Sequence, residues 1–431
     1  MGEDAPTEKK TGLLPYASLH IDATYGQFFK AVGSIVKCDN PKIVADKVES
    51  LFGGSNQCLA SFCVRTAFDL YLQVAAYPRR SQIIMTAINI PDMARIVRHH
   101  GLDVVPVDVD PETLAPDARS LEAVVTSKSV AIVVAHLYGR WIDVTDVVAF
   151  AKRRRIDFIE DCAQTFAGFE RLGHPDALLS LFSFGGIKHA TGFGGGVTIV
   201  RNRGLLKKMR DRQLTYPVYS RWMFFKRLAR YFIVALSLNS PTVNRYGRRL
   251  VAFFGIDHKE YAVQLLRGFN GVDLITFLRW QPSGALFGAL LDALLRFSAD
   301  EYRRNVSHCE YVASRLPKSV QIPGSRATVR NHWLFPIIVS NADAYIDELN
   351  RRGVDAYRGA TQLDVVRADE TVRQTKAFPR PSRAEELMAH VIYLPVHKRV
   401  PLDELERLCE IMTDVADVVD ARRRFRLKSK L

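Results

Sequence analysis

The stretch 158-FIEDCAQ-164, followed by 178-LLSLFSFGGIKH-189 and 192-GFGGG-196, decides how this chain reads. An apolar pair, Phe158-Ile159, runs into the carboxylates Glu160 and Asp161, then Cys162, Ala163 and Gln164. A second apolar run, Leu178–Phe184, carries Ser183. Lys188 follows the Gly185-Gly186 pair and precedes His189. An acid, an amide, a hydroxyl and a lysine therefore stand at the ends of short predicted strands, as a small aldehyde carrying a phosphate would require.

Each residue type answers one need of such a ligand. A lysine amine attacks an aldehyde only when neutral, so its site must lower its pKa by burial or a neighbouring cation. Glycines on both sides place Lys188 on a cramped turn rather than an exposed helix. A pyridine ring withdraws electrons best when its nitrogen is protonated, and a buried carboxylate such as Asp161 keeps it so. Gln164 suits the ring's phenolic oxygen, and the small Ala163 lets a ring lie flat against the backbone. Phosphate needs oriented N–H donors. The helix predicted after Cys63 offers them at Val64-Arg65-Thr66-Ala67, with a cation and a hydroxyl, and Ser183 adds a second hydroxyl. The cofactor described by this set is pyridoxal 5′-phosphate. Taken singly, each residue has a plainer reading: Lys188 as a surface lysine, Asp161 as a helix N-cap, Thr66 as an ordinary helix start.

Outward from this stretch the chain alternates short apolar runs with helical segments. Gln82–Thr86, Val104–Val107, Val130–Ala135 and Asp157–Ile159 read as buried strands, and Arg65–Ala76, Pro91–His100, Ala118–Val125 and Val144–Arg154 as helices. Such repeats imply a mostly parallel sheet covered on both faces, with its site beyond the carboxyl ends of the strands. His136 and Asp161 both fall there. The alternation stops over 215–300, where Arg221–Phe254 mixes arginines with aromatics and Ala285–Phe297 reads as an amphipathic helix. A smaller α/β lobe follows, with strands near Trp333–Val339 and Val391–Leu394 and a closing helix near Leu402–Met412.

A chain of 431 residues can hold two or three lobes, each with its own core. The six cysteines form no CxxC pair and no zinc-spaced cluster with histidine, so no metal is expected, and scattered thiols fit a reducing cytoplasm. Residues 1–13 are polar, without the apolar run of a signal peptide. Tyr231–Leu238 is far short of the roughly 20 apolar residues needed to cross a bilayer. The formal charge of +14 is local: residues 201–250 hold thirteen Lys/Arg against the single acid Asp211, and 422–430 add six more. No nucleic-acid motif accompanies this charge.

Residues from about 56 to 300, and more loosely to 415, resemble the DegT/StrS family of sugar aminotransferases, within the fold-type I pyridoxal phosphate enzymes. The run 134-VAHLYG-139 resembles that family's VHLYG, 159-IEDCAQ-164 its IEDAAQ, and Phe182-Ser183-Phe184 with Lys188 its FSFYPTK. Val105–Asp110 and Tyr393–His397 match further family segments. The resemblance implies a large domain with a mostly parallel seven-stranded sheet flanked by helices, plus a smaller C-terminal α/β domain. The boundaries expected are an N-terminal segment 1–55 packing on the smaller lobe, a large cofactor domain 56–270 with a basic, aromatic insert at about 215–265, and a linking helix and small domain over 271–431 with a basic tail. It further implies that Lys188 bonds the cofactor, Asp161 binds the pyridine nitrogen and Gln164 contacts the phenolic oxygen. Ser183 and the Arg65-Thr66 backbone would hold the phosphate, with Ala163 and His136 against the ring. Family members that dehydrate carry histidine at the lysine position, so Lys188 favours amino transfer. The implied reaction moves an amino group, from glutamate, to a keto sugar that is most often nucleotide-linked, in polysaccharide, lipopolysaccharide or natural-product biosynthesis. A cytoplasmic homodimer is expected.

The chain also departs from the family. The SGTAAL turn reads 63-CVRTAF-68 without its glycine, and PAFTF reads 86-TAINI-90 without its stacking aromatic, so that ring stacking is either lost or taken over by His136. The cross-subunit asparagine has no clear counterpart; Phe277 aligns crudely with it, and Arg279 is an alternative phosphate ligand. These losses leave open a binding or regulatory protein that keeps the fold, or a cofactor enzyme acting on a lipid-linked or otherwise unusual ketone. The segment 221–254 reads first as an elaborated subunit interface or a solvated basic face, and otherwise as a peripheral membrane contact or, at Arg245, Arg248 and Arg249, an entrance for a diphosphate-bearing substrate.

Overall fold

The structure, a computed structural model, describes residues 14–37, 39–244, 273–359, 361–370, 372 and 378–428. The expectations placed on 1–13, and on Arg245, Arg248 and Arg249 of the basic segment, lie outside these residues.

The strands in chain order are β1 (Cys58–Ser61), β2 (Gln82–Thr86), β3 (Ile88–Asn89), β4 (Asp103–Val107), β5 (Ser129–Ala135), β6 (Arg140–Trp141), β7 (Asp157–Asp161), β8 (Leu179–Ser183), β9 (Gly196–Val200), β10 (Val329–Arg330), β11 (Phe335–Ile338), β12 (Asp364–Val365) and β13 (Val391–Leu394). Seven of them form one sheet in the order β1-β9-β8-β7-β5-β2-β4. The four pairs from β8 to β4 are parallel, and β9 runs antiparallel to both β8 and β1. The mostly parallel seven-stranded sheet implied by the resemblance is present. Its strands are nearly continuous apolar runs because both faces are covered. One face packs under Leu121 and Val124 of helix α5 (Ala118–Val124) and under Val147, Val148 and Phe150 of α6 (Thr145–Arg154). The other packs under Phe68 and Leu72 of α3 (Val64–Ala75), Met93 and Val97 of α4 (Pro91–His99), and Leu206 and Met209 of α7 (Arg203–Gln213).

The smaller lobe pairs β11 with β13 antiparallel and packs them against the helices Ala299–Ala313, Ala342–Arg351 and Leu402–Lys428. The closing helix runs well past the expected Met412. Two short antiparallel pairings tie the lobes together: β10 on β6, and β12 on β3. The second brings Thr361–Leu363 over the carboxyl end of the large sheet.

The N-terminal segment divides its contacts. Residues 14–18 bind the small lobe, where Leu14 N donates to Gly353 O at 2.9 Å and Ser18 N to Asp355 Oδ2 at 2.7 Å. Helices α1 (Tyr25–Lys37) and α2 (Pro41–Ser50) instead pack on the helix Gly284–Leu295, and α1 also meets α8 (Arg221–Asn239). Gly284–Leu295 is therefore buried around most of its circumference, which explains its all-round apolar sequence better than an amphipathic surface reading does. Helix α8 has a wet side as well: Trp222 and Phe225 are exposed and stack at 5.4 Å. No described helix is long and apolar enough to cross a membrane.

Candidate cofactor site

The carboxyl ends of the central strands converge on a cavity of about 210 Å³. Asp161 is the last residue of β7, Ser183 the last of β8, and His136 follows β5, so the parallel register itself delivers all three to one end. Asn89, Ala163, Gln164, Lys188 and the first turn of α3 (Cys63, Val64, Arg65) complete most of the wall.

Lys188 lies on a loop stapled to the end of β8. Gly192 N and Gly194 N both donate to Phe184 O, at 3.1 and 3.0 Å, and Lys188 N donates to Gly185 O at 2.9 Å. The backbone at Ala190, Phe193, Gly194 and Gly195 has positive φ. The glycine cluster seen in the sequence is what lets the loop fold back this tightly. The Lys188 amine sits 3.6 Å above the Trp333 ring, whose indole N–H donates to Ile187 O at 2.7 Å. Burial pulls the amine down to about 7, which Asp161 opposes and Arg65 reinforces. A large share of it is thus neutral at physiological pH, as nucleophilic work requires.

Asp161 is buried, and burial pushes its carboxyl up from the ordinary range; the Ala163 N–H, which donates to Oδ1 at 3.1 Å, and the Lys188 charge work the other way. A carboxylate under such pressure gains from a proton-bearing ring nitrogen beside it. Gln164 Oε1 accepts from Tyr138 N at 2.7 Å, which turns its amide so that the NH₂ remains as a donor. His136 is fixed on both nitrogens: Nδ1 accepts from Ile142 N at 3.2 Å, so Nε2 carries the proton given to Glu160 Oε1 at 3.1 Å. Its ring face borders the cavity and takes no part in proton transfer in this arrangement. Burial works against Glu160, yet the His136 contact, the His174 N–H and the Ser180 hydroxyl hold it below the usual carboxylate range. His136, Glu160 and Cys162 lie close enough to share an ion. Burial raises the Cys162 thiol, however, and Glu160 is occupied by hydrogen bonds, so the trio reads as support for His136.

Three expectations change at the phosphate end. The Thr66 hydroxyl donates to Leu278 O at 2.7 Å and is buried away from the cavity, so only its backbone N–H remains for an anion. Helical phase explains this, since Thr66 is turned about 100° from Arg65. Arg65 does border the cavity, but its guanidinium pairs with Asp92. Arg279, the alternative phosphate ligand, forms two hydrogen bonds to the fully buried Asp69, at 3.0 and 3.2 Å, and does not line the cavity. Phe277 does line it, as a hydrophobic wall. His189 faces the other way, with Nδ1 at 3.4 Å from Asp22. Several wall residues, Asn89, Trp333 and Thr361–Leu363, are not singled out by the sequence, and Arg227, Arg230 and Tyr231 of α8 fall in the basic, aromatic segment for which a substrate entrance is one reading.

These walls fit pyridoxal 5′-phosphate. One end holds a buried carboxylate for a ring nitrogen and an amide donor for a phenolic oxygen. The other holds a helix start, Ser183 and arginines for a phosphate, with the lysine between. The architecture is that of the fold-type I pyridoxal phosphate transferases. Residues 46–226 match the model of the DegT/DnrJ/EryC1/StrS aminotransferase family. Among curated relatives, the L-glutamine:2-deoxy-scyllo-inosose aminotransferase of Streptomyces lividus is 38% identical over 113 residues, 25% of this chain and 27% of that protein. A "Pleiotropic regulatory protein" of Geobacillus stearothermophilus is 34% identical over 139 residues, 32% of this chain and 37% of the relative. The GDP-perosamine synthase of Caulobacter vibrioides is 32% identical over 147 residues, 34% and 40% of the two chains. The chain therefore spans between about a quarter and two fifths of these relatives' lengths. Among solved structures, the Helicobacter pylori aminotransferase PseC, involved in the biosynthesis of pseudoaminic acid, superposes with a TM-score of 0.67 at 14% identity, covering 94% of this chain and 99% of that one.

Proposed function

We propose that this chain is a pyridoxal-phosphate-dependent aminotransferase that moves an amino group from glutamate or a similar donor to a keto sugar, most simply a nucleotide-linked one. The observation that carries this reading is the placement of a near-neutral Lys188 and a buried Asp161 in one cavity. The names of the relatives, a glutamine-dependent aminotransferase of a keto-inosose and a perosamine synthase, support the substrate class.

When bound, the pyridoxal group supplies the electron sink that makes the donor's α-hydrogen removable. The chain's own residues do the rest. Asp161 keeps a ring nitrogen protonated, the Gln164 NH₂ orients the phenolic oxygen, and Val64–Thr66 present backbone N–H groups to the phosphate. Lys188, with a proton affinity matched to neutral pH, takes a proton from the donor carbon and later gives one to the acceptor carbon. Over the full exchange the donor loses its amino group and that hydrogen and leaves as an α-keto acid, while the sugar ketone becomes an amine. Ping-pong kinetics follow, since one cavity serves both halves.

The test is the first half-reaction alone. Protein reconstituted with the cofactor and mixed with glutamate or glutamine should lose its visible absorbance band and release the keto acid; no spectral change with any amino donor would sink the reading. A regulatory protein that keeps the fold is the second reading, supported by the relative named a regulatory protein and by Asn89 and Ile90 lining the cavity where the family has an aromatic. The same absence of turnover, with the cofactor still bound, would favour it.

A further inference from the structure

On the reading of this cavity as a pyridoxal phosphate site, one requirement is unmet by the residues already assigned. A phosphate monoester carries about −1.5 to −2 at neutral pH, and the two arginines suggested by the sequence are committed elsewhere, Arg65 to Asp92 and Arg279 to Asp69.

Two other arginines border the cavity from α8. Arg227 is only 7% exposed, and among the described residues no carboxylate pairs with it. Its guanidinium lies instead against a pair of touching rings, 4.8 Å from the Phe62 centroid and 4.7 Å from that of Tyr219, which are 4.8 Å from each other. One turn further on, Arg230 keeps its Nε out of solvent with no hydrogen-bond partner. Arg227 shares a hydrogen bond with the Tyr219 side chain but has no counter-charge among the described residues, and burying a cation without one is costly, so its place beside a cavity calls for an anion there. The position is a built one. A side chain at Gly194, where φ is +147°, would put its Cβ 2.5 Å from Arg227 Nη1, and one at Gly186 would put it 2.8 Å from the Tyr231 ring. The glycines of the lysine loop thus let α8 close down on it and bring Arg227 to the same end as Ser183 and the start of α3.

We propose that α8 completes the phosphate end of this cavity from within the same chain, with Arg227 as the cation that pairs a phosphoryl group and Arg230 as its second donor. A guanidinium braced on the Phe62–Tyr219 pair is restrained, and its planar fork suits bidentate contact with phosphate oxygens. The phosphoryl group is either the cofactor's monoester or the diphosphate of a nucleotide-linked substrate.

The test compares wild type with Arg227→Met by cofactor titration, followed through the visible absorbance band, and by thermal shift with inorganic phosphate. With Arg227 on the cofactor, the variant binds pyridoxal 5′-phosphate about 10- to 100-fold more weakly but binds pyridoxal, which has no phosphate, as wild type does. With Arg227 on the substrate, cofactor affinity holds and stabilisation of the loaded protein by a nucleoside diphosphate disappears. Equal affinity of both proteins for all of these ligands overturns the proposal. Inorganic phosphate should raise the melting temperature of cofactor-free wild type and not that of the variant, a readout independent of Lys188 chemistry. A wild type that responds to phosphate but forms no visible band would count against the proposed function and not against this assignment. Where Arg227→Met fails to fold, by circular dichroism, Arg227→Lys and Arg230→Met replace it, with a partial loss of phosphate affinity expected and an unchanged affinity refuting.

Discussion

Replacing Lys188 with methionine tests the electrostatics of the site without any cofactor. In the folded chain burial pulls this amine from its ordinary 10.5 to about 7. At about 1.36 kcal/mol per pKa unit the full difference is at most ~5 kcal/mol. The amine faces a cavity open to water, so ~2 kcal/mol is the expected scale. The sign follows from proton counting. Below about pH 7 both folded and unfolded chains hold the proton, and the folded state bears the whole cost of a buried ammonium. Between about 7 and 10.5 the unfolded chain holds more proton than the folded one, so stability rises with pH across this window and the cost is gone above it. Lys188→Met abolishes the cost at every pH. Urea melts of cofactor-free protein should therefore show the variant gaining ~2 kcal/mol on wild type at pH 6, with the gap closing by pH 10. Removing the cation beside Asp161 offsets part of the gain, so the slope of the gap is the signature rather than its absolute size. A gap that does not change with pH would refute the reasoning.

Asp161 raises the Lys188 pKa, so Asp161→Asn should move it below about 7, read from the pH dependence of Lys188 labelling by an amine-reactive reagent; an unmoved midpoint contradicts the proximity of the two groups. Arg279→Ala strips a fully buried carboxylate of its guanidinium partner and should destabilise the fold by ~3 kcal/mol while leaving cofactor affinity as it was. A selective loss of affinity would put Arg279 back among the phosphate ligands. Gly194→Ala drives a Cβ into Arg227 and Leu286. It should cost ~1–3 kcal/mol in a chemical denaturation series and weaken cofactor binding by displacing α8, and full affinity in a stable variant would argue against the contact.

The large lobe was legible because its signals are local. Gln82–Thr86 and Val391–Leu394 are strands with the bounds their apolar runs suggest. Asp161 and Ser183 fall at strand ends because short apolar runs in a parallel sheet leave little room for another register. The phosphate end was harder to read because its partners are remote in the chain. Nothing around Arg279 points to Asp69, or around Arg65 to Asp92. Composition places a hydroxyl at Thr66 but not its direction, and helical phase turns that hydroxyl to Leu278 O while leaving the backbone N–H at the helix start. The arginines of α8 sit in a basic segment that reads as an interface, a membrane contact or a substrate entrance, with nothing local to single out Arg227 and Arg230. Their access to the cavity depends on glycines at 186 and 194, which the sequence offered only as a loop composition. Trp333 reaches Lys188 from the start of the other lobe, a contact set by how β10 and β12 dock on β6 and β3.

The central claim is that Lys188 is the residue that bonds the cofactor aldehyde, and one measurement addresses it most directly. Protein reconstituted with pyridoxal 5′-phosphate, reduced with borohydride, digested and mapped by mass spectrometry should carry one phosphopyridoxyl group, on the peptide containing Lys188. Label on a different lysine, or none on a folded and cofactor-saturated protein, would contradict the account.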